Sequence, residues 1–357
     1  MAVISTTDAR AIFTQKLIDV YKERTAPTAF LRSFFANKES NTKQISIEVQ
    51  RGTEMIAVDV ERGTKGNRNS FSKSTEKIFV PPFYYEYFDA TDLDFYDRLF
   101  LQDGTVDGVT FGQWVSEIAD KLMMLQDKIE RAYELQCAQV LETGIVLLKN
   151  GTNIDFKRKA ASLVANVAGN TWATGTVDPY ATLEAGCTFL RTVGKSQGTV
   201  YNAIMGSTAL SHFLNNTIVK GRADIRNFSL DNIKTAQKNA VGGVLHGEVT
   251  CGSYTVRIWT YPEYYDIAGG SSNVPYINAK KVILIPETPK FVLGFAAVPQ
   301  LVGNVANVGA GLAGKRGAYL IGEYVDVENT AHNINIKSAG VAIPVGVDQI
   351  YTVQVVA

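Results

Sequence analysis

Excess charge of either sign is missing: 35 Lys and Arg stand against 35 Asp and Glu, a formal net charge of zero. A dedicated nucleic-acid binder carries a basic surplus, so that class is disfavoured. A chain without global self-repulsion also associates readily. Cysteine is scarce, with Cys137, Cys187 and Cys251 odd in number and widely spaced, which argues against a secreted disulfide framework. His212, His246 and His332 lie far from one another and from the cysteines, so the spacing of a zinc site is absent. No apolar run approaches the roughly 18 to 20 residues needed to cross a bilayer. Met1 to Arg10 lacks the basic segment and apolar stretch of a signal peptide. The expectation is a soluble, cytosol-made, self-associating protein with no membrane partner.

What is present is a 357-residue chain that is 46% hydrophobic, enough for a sizeable core and suggestive of two domains. Phe13, Leu17 and Tyr21 share one face of a short helix capped by Thr7 or Asp8, which Pro27 ends near Thr25. Residues 43 to 80 alternate as a long hairpin, with Ile45, Ile47 and Val49 outbound and Phe71 to Val80 returning. Its tip, Arg62 to Ser70, combines turn formers with basic residues. The clearest element is a helix from about Phe111 to Leu141. Val115, Ile118, Leu122, Leu125, Ile129, Ala132, Gln136 and Val140 follow steps of three and four, and only Gln136 is polar. Thirty residues give roughly 45 Å of rod, read as a spine laid across a sheet or domain.

Beyond it, Ile145 to Leu148 and Ile154 to Phe156 form a hairpin around Lys149-Asn150-Gly151. Helices are expected from Asp178-Pro179 through Val193 and from Ser207 to Leu214, and strands at Thr199 to Met205, 244 to 261, Lys281 to Ile285, Ile334 to Val341 and Ile350 to Val356. The fold class is α+β, with helices among antiparallel hairpins.

The sharpest enzyme-like string is Gly309-Ala310-Gly311-Leu312-Ala313-Gly314-Lys315-Arg316, which satisfies G-x-G-x-x-G and most of a P-loop. A phosphate cradle needs a strand before it and a helix after it, so that helix-start N–H groups meet the anion. The residues following Lys315 are poor helix formers, and Arg316 stands where a magnesium-binding hydroxyl belongs. A flexible loop is the preferred reading. No G-x-S-x-G elbow exists, and Asp89, Asp92, Asp94 and Asp97 lack the glycine and terminal Glu of a calcium loop. No catalytic, cofactor-binding or metal-binding residue is assigned. Arg62, Lys65, Arg68 and Lys73 at the hairpin tip are read as meeting a carboxylate patch on a neighbouring copy, in preference to phosphate.

The order of elements and certain strings carry a resemblance. Phe30-Leu31-Arg32-Ser33-Phe34-Phe35 leads into the hairpin, and Leu284 to Gly294 centres on Pro286-Glu287-Thr288-Pro289-Lys290. Ile334 to Gly340 and Ile350 to Ala357 close the chain. Together they resemble the phage lambda-type major capsid proteins of tailed bacteriophages, which share the Hong Kong 97 fold. The resemblance implies an N-terminal arm at 1–39, an extended loop at 40–82, a peripheral domain with the spine helix at 83–161 completed by strands at 334–357, and an axial domain at 162–333. It implies a non-enzymatic head protein in an icosahedral shell of hexamers and pentamers, assembled in the host cytoplasm around double-stranded DNA contacted non-specifically. A portal protein is an implied partner, and a decoration protein is left open. Phe13, Leu17, Tyr21, Phe30, Phe34 and Phe35 join the basic tip as candidate inter-subunit contacts. Within the arm, about 25 residues of helix and break are too few for a scaffold domain, so a separate scaffolding protein is expected. A cellular nanocompartment shell of the same fold and, remotely, a nucleotide-binding enzyme using 309–316 are the alternatives.

Overall fold

The computed structural model describes residues 27–49, 75–91, 108–148, 153–165, 171–175, 177–225, 237–238, 241–267, 270, 273–302, 311–315, 317–326 and 331–356. The first strands among the described residues are β1 (Phe35–Glu39), β2 (Ile45–Val49), β3 (Thr75–Phe79) and β4 (Tyr84–Thr91). Helix α1 (Gly108–Glu142) follows, then β5 (Ile145–Val146), β6 (Ile154–Asp155) and β7 (Leu163–Val164). Next come α2 (Pro179–Thr192), β8 (Val200–Met205), α3 (Ser207–Asn215) and α4 (Thr217–Ile225). Strands β9 (Gln237–Lys238), β10 (Val244–Cys251), β11 (Tyr254–Thr260), β12 (Tyr264–Tyr265), β13 (Val274–Pro275) and β14 (Lys281–Pro286) continue the chain. It ends with β15 (Phe291–Phe295), β16 (Val298–Val302), β17 (Gly311–Lys315), β18 (Leu320–Asp326), β19 (Ala331–Ser338), β20 (Gly340–Pro344) and β21 (Tyr351–Gln354).

Two hydrophobic cores organise these elements. The first gathers around the C-terminal half of α1, where Ile129, Tyr133, Cys137, Val140 and Leu141 are all buried. Against it lie the sheet β1-β15-β20 and the sheet β18-β19-β4. Gln136, the one polar residue in the apolar stripe, is buried and satisfied: its Nε2 donates to Tyr84 Oη at 2.7 Å, and its Oε1 accepts the Ala342 N–H at 3.1 Å. Helix and sheets are thereby fixed in register, since a buried amide left unpaired would cost about 1–3 kcal/mol.

The second core fills the seven-stranded sheet β7-β21-β14-β8-β11-β10-β9 and its helices. Strands β8 and β14 are buried at nearly every position, which fits their continuous apolar runs. Asp178 caps α2 by accepting the Tyr180 N–H at 2.9 Å, and Pro179 sits in the first turn, where its missing N–H costs nothing. Gly186 lets α2 approach closely, for a Cβ there would fall 2.3 Å from Leu284 Cδ1.

The elements expected at 111–141, 178–193, 199–205, 207–214 and 244–261 are present at nearly those bounds. Strand β21 pairs with β14 and β7 in the seven-stranded sheet. Strands β15 and β18 pair with β1 and β20 and with β19, on the α1 side. Alternation marks a strand but not its partners, and here Phe291, Leu293 and Phe295 find the α1 core.

Candidate assembly surfaces

The arm reaches the described structure at Pro27 and docks at once on α1. Phe30 is 2% exposed, ringed by Phe34, Trp259 and Tyr261 at centroid distances of 5.3–5.5 Å. Phe35 is 5% exposed and packs on Phe291 at 5.1 Å. Both are therefore enclosed in their own subunit and offer a neighbour little surface, whereas Phe34 is half-buried. Sequence alone could not separate these roles, because a Phe that meets the core and one that meets a neighbour look the same.

Glu134 holds this docking. Its carboxylate accepts the N–H groups of Leu31 at 2.7 Å and Arg32 at 3.1 Å, while the Arg32 side chain reaches Glu130 at 3.4 Å. Burial pushes the Glu134 pKa up to about 7, against the pull of those N–H groups, the Tyr261 hydroxyl and the Arg32 charge. Thr28 and Tyr261 pair their hydroxyls at 2.5 Å beside it. A Glu on a long helix reads as solvated, so nothing in the sequence marked this one.

A second junction lies where α1 ends. Arg158 donates to the carbonyls of Leu141 (3.0 Å), Ser162 (3.1 Å) and Ile350 (3.1 Å), and to Thr352 Oγ1 (3.2 Å). Its side chain thus ties the last turn of the spine, the connecting segment and the start of β21. Burial lowers the Arg158 pKa to about 10. At the same end Lys281 meets Glu142 at 2.6 Å.

The base of the predicted long hairpin is present as the antiparallel pair β2–β3, Ile45 opposite Phe79 and Val49 opposite Thr75. Its tip, with Arg62, Lys65, Arg68 and Lys73, and the arm residues Phe13, Leu17 and Tyr21 lie outside the described residues, as do Asp92, Asp94 and Asp97. On β4, Asp89 accepts a hydrogen bond from Asn333 Nδ2 at 2.6 Å.

The glycine string is not a phosphate loop. Gly311–Lys315 is strand β17, paired antiparallel with β16 from Val298↔Lys315 to Val302↔Gly311, and the next assigned element is strand β18. Extended backbone spreads successive N–H groups to opposite sides and cannot converge them on one anion. Among the described residues no three His, Cys, Asp or Glu side chains come together as a metal cluster, and no helix is long and apolar enough to cross a membrane. Cys137, Cys187 and Cys251 are buried.

A long spine helix on two three-stranded sheets, a hairpin entered between arm and spine, and a second unit around a seven-stranded mixed sheet define the Hong Kong 97-type fold of shell-forming capsid proteins. Phage major capsid protein E matches residues 14–343, and the chain belongs to that family. No curated protein matches it by sequence. Among solved structures, a prophage protein of E. coli CFT073 assigned to the capsid is 13% identical, with each chain covered over 100% of its length and a TM-score of 0.60. The capsid of myovirus XM1 is 10% identical over 94% of each chain, TM-score 0.47. The SrpI encapsulin of Synechococcus elongatus PCC 7942 is 10% identical over 100% of this chain and 96% of its own, TM-score 0.45. The protein is a structural subunit of the phage head.

Proposed function

We propose that the chain closes into an icosahedral shell of hexamers and pentamers around packaged double-stranded DNA, assembled in the host cytoplasm. The family match from residue 14 to residue 343 carries this reading, because it spans arm, hairpin, spine and both cores. Zero net charge supports a wall that holds DNA without immobilising it. Contact with DNA is then weak, independent of sequence and salt-dependent. Contacts that repeat head to tail close into rings, and rings joined by further contacts make a shell.

Within that shell the basic tip meets carboxylates of an adjacent copy, and Phe13, Leu17 and Tyr21 bury the arm against a neighbour. Phe34, half-buried at the arm root, is the remaining aromatic of the Phe30–Phe35 string with surface to offer. A separate scaffolding protein and a portal protein complete the assembly, and no catalytic step is required. Electron microscopy of particles purified after co-expression with these partners tests the reading. Large DNA-filled heads are expected. Small protein-filled cages would favour the nanocompartment reading, and a subunit that stays monomeric would overturn both.

A further inference from the structure

Five large apolar side chains within ten consecutive residues stand in solvent. Ile78 is 59% exposed, Val80 53%, Phe83 51%, Tyr85 40% and Tyr87 53%. Their neighbours point the other way. Phe79 packs on Phe156 at 5.2 Å, and Tyr84 meets Tyr133 edge-on at 5.4 Å, both in the α1 core. The pleat that buries one side of this segment thus turns the other outward.

The three outward rings form a ladder. Phe83 and Tyr85 stack with centroids 6.5 Å apart and planes 9° from parallel, and Tyr85 and Tyr87 lie 5.8 Å apart. Lys337, opposite Tyr85 in the β19–β4 register, places its ammonium 5.1 Å from the Tyr85 ring centre. Neighbour contacts therefore order the rings before any partner arrives, which lowers the entropic cost of binding.

With about half of each side chain in water, the row exposes on the order of 450 Å² of apolar surface. That is as large as the biggest patch on an ordinary monomer, where such patches mark interaction sites. It is also roughly half of what one partner contributes to a stable interface. Among the described residues β4 pairs with β19 alone.

We propose that this row is the centre of a contact with a second copy of the chain. The proposal rests on the shell reading above and names the surface that reading leaves open. A self-assembling family supplies the partner in excess, and the area fits the centre of one copy's share of such a contact, about half of that share. Tyr and Phe at its centre match the composition of interface cores. A phosphate backbone is a poorer fit, since the cation in the row, Lys337, already sits over Tyr85.

The test replaces Tyr85 with a photo-crosslinking benzoylphenylalanine and assembles particles from equal parts of light and ¹⁵N-labelled chains. Illumination is expected to give crosslinked peptides pairing light with heavy chains. Crosslinks confined to light–light and heavy–heavy pairs, crosslinks to DNA or another protein, or shells with no crosslink would each overturn the contact. Light–heavy pairs in a preparation without shells would support the contact and overturn the shell reading. If the bulky residue blocks assembly, Tyr85→Ser with Tyr87→Ser gives a second reading. Both positions face solvent, so the subunit keeps its thermal midpoint while shell yield falls at least about tenfold; an unchanged yield would reject the proposal.

Discussion

The Glu134 carboxylate accepts the Leu31 N–H at 2.7 Å across a sequence separation of 103 residues, and this bond fastens the arm to the spine helix. Glu134 is 1% exposed, so its charge is held by fixed dipoles and the nearby Arg32 instead of water. Two N–H donors in fixed positions favour the ionised form, whereas burial opposes it more strongly.

The sign of the resulting pH dependence follows from the raised pKa. In the folded chain Glu134 titrates near 7, above the ordinary carboxylate value, so the folded state binds the extra proton between pH 7 and about 4.5. Stability relative to the unfolded chain therefore rises as pH falls through that window and is lowest above 7, by at most roughly 3 kcal/mol from this group. Urea unfolding should show a larger stability at pH 5.5 than at pH 8. Glu134→Gln should flatten the response. An equally flat wild-type profile would show that the carboxylate stays ionised throughout.

Much of the fold was legible because it rests on local pattern. The step of three and four along Val115 to Val140 defines α1, Asp178-Pro179 starts α2, and alternation at 244–261 gives β10 and β11. Pairing between distant strands was not legible. Strand β4 went unassigned because its aromatic run, Tyr84-Tyr85-Glu86-Tyr87-Phe88, has no alternation of polarity, yet burial alternates along it once α1 covers one side. The partners of Glu134 and Arg158 were invisible for the same reason: their bonds join segments about 100 to 200 positions apart.

Arg158 makes a second testable junction. Removing its side chain takes a charged donor from the carbonyls of Ser162 and Ile350, while Thr352 still donates to Leu141. Arg158→Ala should cost about 3–5 kcal/mol in urea unfolding, since buried groups lose charge-assisted bonds and the site is left empty. Arg158→Lys should recover only part, because one ammonium cannot reproduce the fork that reaches three chain segments. A loss below about 1 kcal/mol for the alanine variant would mean that water replaces the guanidinium without penalty.

Gly206 tests the turn between β8 and α3. A Cβ there would fall 2.3 Å from the Asn278 carbonyl oxygen and 2.5 Å from that of Ala279, both backbone atoms that cannot rotate away. Gly206→Ala should therefore destabilise by about 1–3 kcal/mol through overpacking, although its φ of −67° suits any residue. Gly221→Ala is the control, with no atom within 4 Å of the added carbon, and it should be neutral or slightly stabilising. Equal effects at the two sites would remove close approach as the reason for glycine at 206.

The last prediction concerns the hairpin tip. Exposed ion pairs contribute about 0 to 1 kcal/mol each, too little to hold two copies together once. A shell repeats the same contact in every subunit, so small terms act many times over. Reversing Arg62, Lys65 and Arg68 to Glu takes the formal charge from zero to −6 and sets carboxylate against carboxylate wherever the tip meets an acidic patch. The variant subunit should unfold at the wild-type temperature, because the three positions fall outside the paired residues of β2 and β3. Shells should be absent by sedimentation and microscopy. Wild-type assembly should also weaken as salt is raised, since exposed charges are screened over about 8 Å at physiological ionic strength and over less at higher salt. Normal heads from the triple variant would show that the tip carries no assembly energy, and the contact would then have to come from apolar surface alone.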